Sequence, residues 1–208
     1  VYTTSATKDL CEVLLSDAGY LQEEEARYAN KRGYSKHHPA LPLYTEQDGR
    51  NTLELFQTYE QHEEFKIGDN IQIKFTPAGH ILGSCCVHIS DGEKTVVFSG
   101  DVGRPHDAVM KAPEALGKVD YLVVESTYGN RRHEQVDPKE KLKEIINKTI
   151  ARNGIVIIPS FAVGRAQSIL HLIADLKSEK QIPSIPVYLN SPMAVSYTHL
   201  TLPTIREV

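Results

Sequence analysis

The sequence predicts an α/β protein in which a mixed sheet covered by helices is followed by the start of a parallel sheet. Three observations carry that reading. Between Glu64 and Gly100, short runs of alternating apolar and polar residues are separated by turn signals, the pattern of half-buried strands. From about Tyr121, apolar runs of strand length alternate with helical patterns, the order expected of a doubly wound parallel sheet. Ahead of both lie segments with helical periodicity.

In chain order, Ser5 to Leu15 reads as a helix because Leu10, Val13 and Leu14 recur at helical spacing, with Ser5 or Thr7 as a cap. Leu21 to Arg32 is polar, charged and helical in pattern. In KRGYSKHHPALPLYT, Gly33, Pro39 and Pro42 break any period and predict a loop. A further helix is expected over Thr45 to Thr58. FKIGDNIQIKFTPA reads as strand, Gly-Asp-Asn turn and strand. SCCVHIS and KTVVFSG are two more strands, joined by the hairpin signal Asp91-Gly92. YLVVEST has the unbroken apolar character of a buried strand. DPKEKLKEIINKTIARNG is a helix with Asp137 as its cap, Pro138 in its first turn and Gly154 past its end. IVIIPSF then reads as a buried strand, RAQSILHLIADLKSEK as a helix and PVYLNSP as a last strand. There is no internal repeat and no low-complexity tract.

The 208 residues are 40% hydrophobic and 24% charged, within the range of soluble globular domains. No run of 18 apolar residues is present, so no membrane span is expected. The opening VYTTSATKDL has neither a basic n-region nor an apolar h-region, which predicts no signal peptide. It also lacks an initiator Met, and a truncated start is expected. A net charge of -4 gives no general attraction for nucleic acid, although a local positive groove suffices for an enzyme. Cys11, Cys85 and Cys86 are odd in number and include an adjacent pair, which argues against a disulfide framework and for a reducing cytoplasm. Cys85 and Cys86 read as small thiols on a strand rather than as metal ligands.

The segment VSYTHLTLPT, Val195 to Thr204, matches one reading frame of a sequencing-transposon adapter without a mismatch. Residues 195–208 are therefore expected to be translated adapter and are set apart from fold reasoning, His199 with them. The alternative is a genuine Thr-rich strand.

Four motifs carry chemistry. In TPAGHILGS, His80 follows a strand and is bracketed by Gly79 and Gly83, a backbone-determined position suited to a metal-binding imidazole. In VVFSGDVGR, Asp101 follows an apolar strand, where open α/β sites collect ligands and where one carboxylate can reach two cations. In LVVESTYGNR, Glu125 ends a third apolar run, placed to orient a catalytic group or assist proton transfer. In IIPSFAVGRAQ, Ser160 and Arg165 stand near a helix start, where free N–H groups, a hydroxyl and a guanidinium suit a phosphate. Each motif alone has an ordinary structural explanation: a turn histidine, a turn-capping aspartate, a loop salt bridge or a left-handed turn.

Taken together and in order, GHILGS, SGDVGR, VVESTYGNR, PSFAVGRAQ and LNSPMA resemble the β-CASP branch of the metallo-β-lactamase superfamily, and YANKRGYSKHHPALPLYT is most similar to its bacterial and archaeal single-chain members. The resemblance covers about Val1 to Ala194. It implies residues 1–127 of a metallo-β-lactamase αββα sandwich without its first metal motif, then residues 128–194 as the N-terminal part of a β-CASP domain. It implies a two-zinc phosphodiester hydrolase of RNA, endonucleolytic, 5′-exonucleolytic or both. His80 would ligate one Zn²⁺, Asp101 would bridge both, and Glu125 would act near the leaving group. Ser160 and Arg165 would face the RNA path, whereas His37 and His38 read as part of a solvated basic loop, with the border of the same groove as the alternative. A homodimer is compatible with the resemblance. The family's His-x-His-x-Asp-His motif and its two later histidines are absent, so the 208 residues alone are expected to be inactive; Asn190 stands where many members have Asp. Two other functions stay open: a small-molecule hydrolase of the same fold, and a non-catalytic RNA-binding scaffold. The segment from Tyr121 to Ala194 argues against the first, and the retained His80 and Asp101 against the second.

Overall fold

The computed structural model of the chain describes residues 1–132 and 136–201. It opens with strand β1 (Tyr2–Thr3) and helix α1 (Ser5–Arg32). The Thr4 hydroxyl caps α1 by accepting from the Thr7 N–H, and Gly33, at φ 69°, ends it by donating to Ala29 O. The two helical segments expected on either side of SDAGY are thus one helix of 28 residues. Gly19 does not break it because its missing side chain is used in packing. A Cβ there would overlap the Thr45 carbonyl oxygen, and one on Gly49 would overlap that of Leu15. This backbone-to-backbone contact offsets the roughly 1 kcal/mol helix cost of a glycine.

Helix α2 (Glu46–Thr52) begins with a reciprocal cap: the Asp48 N–H donates to Thr45 Oγ1, and the Thr45 N–H donates to Asp48 Oδ2 at 2.9 Å. The helix expected to reach Thr58 instead tightens into a 3-10 turn at Leu53–Leu55. Strand β2 (Gln57–Thr58) then pairs in parallel with β1. The first three residues of the chain capture this segment, and the Tyr59 ring stacks on Phe65 at 3.6 Å.

The main sheet has five strands in the order of the chain: β3 (Glu64–Ile67), β4 (Ile71–Pro77), β5 (Cys85–Ser90), β6 (Thr95–Phe98) and β7 (Tyr121–Val123). Pairing is antiparallel from β3 to β6 and parallel between β6 and β7. Asp91-Gly92 forms the expected β5–β6 turn, with the Asp91 carboxylate accepting from the Glu93 and Lys94 N–H groups. Strand alternation divides the core. Phe65, Ile73 and Phe75 pack with Val87 and Ile89, while Ala78, Cys86 and Val97 pack with Leu116 and Val119. Cys85 and Cys86 therefore serve different clusters, and all three thiols are free.

Beyond the sheet, α3 (Pro138–Ile150) and α4 (Arg165–Ser178) bury Ile146, Ile173 and Leu176 against Ile182. Asp137 caps α3 as expected, accepting from the Lys139 N–H. IVIIPSF, expected as a buried strand, and PVYLNSP, expected as a last strand, have no ladder partner among the described residues and are not strands. Ile155 is 86% exposed, Phe161 84% and Tyr188 87%. Strand propensity makes no strand without a neighbour to accept its hydrogen bonds. The chain remains α/β with a mixed sheet, but among the described residues the parallel part of the main sheet is limited to the pairing of β6 with β7.

Helix α5 (Pro192–Thr201) enters the segment set apart as adapter; residues 202–208 of that segment lie outside the described residues. Tyr197 is buried, its hydroxyl accepting from the Leu82 N–H at 3.2 Å. No helix among the described residues is long and apolar enough to cross a membrane.

Candidate metal and phosphodiester site

Strands β4, β6 and β7 all run in one direction, because β5 is antiparallel to both of its neighbours. Their C-terminal ends therefore share one edge of the sheet. His80 follows β4, Asp101 follows β6 and Glu125 follows β7. Sheet polarity alone gathers three residues from three distant stretches of sequence.

The loops complete the convergence. His80 Nε2 lies 3.8 Å from Asp101 Oδ2. The His80 loop is shaped by the Ser84 hydroxyl, which accepts from the His80 and Ile81 N–H groups. Gly79, at φ 68°, lets the chain turn out of β4. The next loop crosses directly over it: the Gly103 N–H donates to Ala78 O at 2.8 Å, and a Cβ on Gly103 would overlap the Gly79 carbonyl oxygen. Only glycine permits that approach.

Glu125 is tied to the same loop. Its Oε1 accepts from the Val102 N–H at 2.7 Å. Its own N–H donates to Ser99 Oγ, and the Ser99 hydroxyl donates to Gly100 O at 2.6 Å. The Val102 N–H, and after it the Thr127 hydroxyl, hold the Glu125 carboxyl below the usual carboxylate range, with a smaller contribution from His80 and some opposition from desolvation. Glu125 is therefore ionised at neutral pH.

The donor set fits a divalent cation. Two ligands about 2.1 Å from one ion at a tetrahedral angle stand about 3.4 Å apart, close to the observed His80–Asp101 span. Both side chains are open to solvent, His80 at 45% and Asp101 at 73% exposure. Among the described residues, no group of three or more His, Cys, Asp or Glu side chains is arranged to hold a metal ion.

Arg165 begins α4, whose N-terminal Gly164 lies beside the His80 loop: a Cβ on Gly164 would stand 3.6 Å from Ile81. Ser160 and Arg165 are exposed, and neither side chain makes a hydrogen bond or ion pair among the described residues. The structure thus brings the helix end, but no contact from either side chain, to the pair. His37 and His38 lie at the other end of α1, not at this edge. Thr7 in the first turn of that helix donates to Gly83 O at 2.9 Å, which fixes its N-terminal end at the His80 loop.

Sequence reasoning missed Ser84 and Ser99. Both sit inside the quoted motifs, yet a serine beside a ligand carries no signal until its hydroxyl is seen bridging two backbone segments.

No protein-family model matches the chain. Among curated proteins it is 33% identical to Ribonuclease TTHA0252 of Thermus thermophilus, over 93% of this chain and 41% of that protein. It is 32% identical to an RNase J-like protein of Methanocaldococcus jannaschii, over 79% of this chain and 42% of that protein. It is 34% identical to the transcription termination factor FttA of Methanosarcina mazei, over 96% of this chain and 31% of that protein. The chain spans about two fifths of the length of the first two relatives.

Proposed function

This chain belongs to the β-CASP branch of the metallo-β-lactamase superfamily, and from that membership we propose that it forms part of a metal-dependent hydrolase of RNA phosphodiester bonds. The observation that carries the proposal is the meeting of His80 and Asp101 at the strand-end edge, in a chain whose relatives bear the names ribonuclease and endoribonuclease. The proposal includes two zinc ions as the resident metals and the cytoplasm as the compartment, and it allows a homodimer. It also includes the domain limits: 1–127 for the metallo-β-lactamase part, 128–194 for the β-CASP part and 195–208 for translated adapter.

In this reading His80, through an imidazole nitrogen, and Asp101, through its carboxylate oxygens, would hold the metal. Bound zinc supplies Lewis acidity toward the phosphodiester and makes water acidic near neutral pH. Glu125 would help the leaving oxygen take up a proton together with a histidine partner and, through Val102, holds the Asp101 loop in place. Ser160 and Arg165, both exposed beside the start of α4, hold a phosphate of the strand on the His80 side.

Cleavage of a 5′-labelled single-stranded RNA by the complete gene product tests the proposal. Cleavage should require a divalent cation, stop with chelator and be lost in His80→Ala and in Asp101→Asn with unchanged circular dichroism. Metal-independent cleavage, or full activity in either variant, would overturn it.

A further inference from the structure

The C-terminal end of α1 carries a feature that the metal site does not use. From Ala26 to Thr45 the chain contains no Asp or Glu but has Arg27, Lys31, Arg32 and Lys36. The whole chain carries -4, so this stretch holds +4 against -8 for the remainder. Arg27 is paired with Glu24, whereas Lys31, Arg32 and Lys36 are exposed and make no ion pair among the described residues. Lys31 and Arg32 also complement the helix dipole; that accounts neither for Lys36 nor for the aromatic residues among them.

Tyr28 is 53% exposed and Tyr34 60%. Their rings stand 6.2 Å apart at 57°, and the Arg32 guanidinium lies 5.4 Å from the centre of the Tyr28 ring. The loop beyond them is held in place rather than left to fray. The Asn30 side chain donates to Ala40 O at 2.8 Å and accepts from the Ala40 N–H at 2.7 Å. Cationic groups beside exposed aromatic faces on a fixed backbone are the chemistry that takes up a single-stranded nucleic acid, phosphates on the charges and unpaired bases on the rings.

We infer that the Tyr28–Lys36 surface is a second, non-catalytic docking site for single-stranded RNA. This deepens the proposed function and rests on it for the choice of RNA. Thr7 anchors α1 at Gly83, and the run of helix from Thr7 to Tyr28 puts the near end of the patch about 32 Å from the His80 loop at a rise of about 1.5 Å per residue. About nine or ten stacked nucleotides, at ~3.4 Å each, span that distance. The acidic turn Glu23–Glu25 bounds the patch on the side facing the metal site.

The test is fluorescence anisotropy of a labelled oligouridylate titrated with the 208-residue chain over a series of salt concentrations. Changing Lys31, Arg32 and Lys36 to Glu should flatten the log–log salt dependence by about 0.7 per charge removed. Tyr34→Ala should weaken binding by about 5-fold to 150-fold, and Tyr34→Phe should restore it. Binding that ignores these variants, binds duplex RNA equally well, or is displaced equally well by polyglutamate of matched charge would overturn the inference. His80→Ala should leave this binding unchanged. Loss of the docking site and loss of the nuclease reading are therefore separate outcomes.

Discussion

His80 Nε2 stands 3.8 Å from Asp101 Oδ2, although β4 and β6, which deliver them, are not neighbours in the sheet. Strand β5 lies between them, and two strand spacings amount to about 9.6 Å. The loops after β4 and β6 close that gap by crossing over the start of β5. Gly103 packs its backbone on Gly79 at the crossing, and Glu125 reaches in from β7 to hold Val102.

The crossing predicts an intolerant glycine. Gly103→Ala would drive a methyl group into the Gly79 carbonyl, and backbone at both ends leaves little room to yield. Destabilisation of about 1–3 kcal/mol or more is expected, seen as a lower urea midpoint. A midpoint equal to that of the parent would show that the loops do not pack as described.

Ser99 joins the two carboxylate-bearing loops. It is 2% exposed, and its hydroxyl links the Glu125 N–H to Gly100 O. Ser99→Ala leaves the Glu125 N–H without its partner and should cost about 1–2 kcal/mol. Ser99→Cys should recover part of this. Thermal unfolding of the three proteins measures it, and an unchanged melting temperature in Ser99→Ala would refute the role.

His88 makes stability depend on pH. It is buried on β5, with Nε2 2.9 Å from Thr76 Oγ1. Burial first, and the Lys74 charge second, hold its pKa below the ordinary value of 6.5. The unfolded chain therefore binds more protons between 6.5 and the depressed folded value. Its contribution is complete above pH 6.5 and is lost as pH falls through that window. His88→Gln should flatten the dependence of the urea midpoint between pH 7.5 and 5. An identical slope in parent and variant would remove His88 as its source.

The pair of donors predicts weak metal affinity in the 208-residue chain. Two side chains supply half of a tetrahedral set, and the described residues hold no larger cluster. Calorimetric titration with Zn²⁺ should give no tight stoichiometric site, and whatever weak binding occurs at this edge should vanish in Asp101→Asn. A tight, one-to-one isotherm would contradict this.

Helix caps and turns were legible because they are local. Asp137 before Pro138 and Asp91-Gly92 between two alternating runs specify their geometry within four or five residues, and both appear as expected. The same locality misled between Leu15 and Leu21, which read as the end and start of two helices, whereas one helix runs through and Gly19 within it is consumed by packing on α2. It misled again at IVIIPSF and PVYLNSP, where strand-like runs find no partner among the described residues.

The sequence by itself determined the chemical types at the site: an imidazole, two carboxylates and the glycines around them, each placed after a strand. Only the tertiary structure decided that they meet. Strand direction and loop crossing are set by hydrogen bonds and close contacts between residues far apart in the chain, such as Gly103 on Gly79 and Glu125 on Val102. No local pattern records such pairings, because their energy exists only after the chain has brought both partners together.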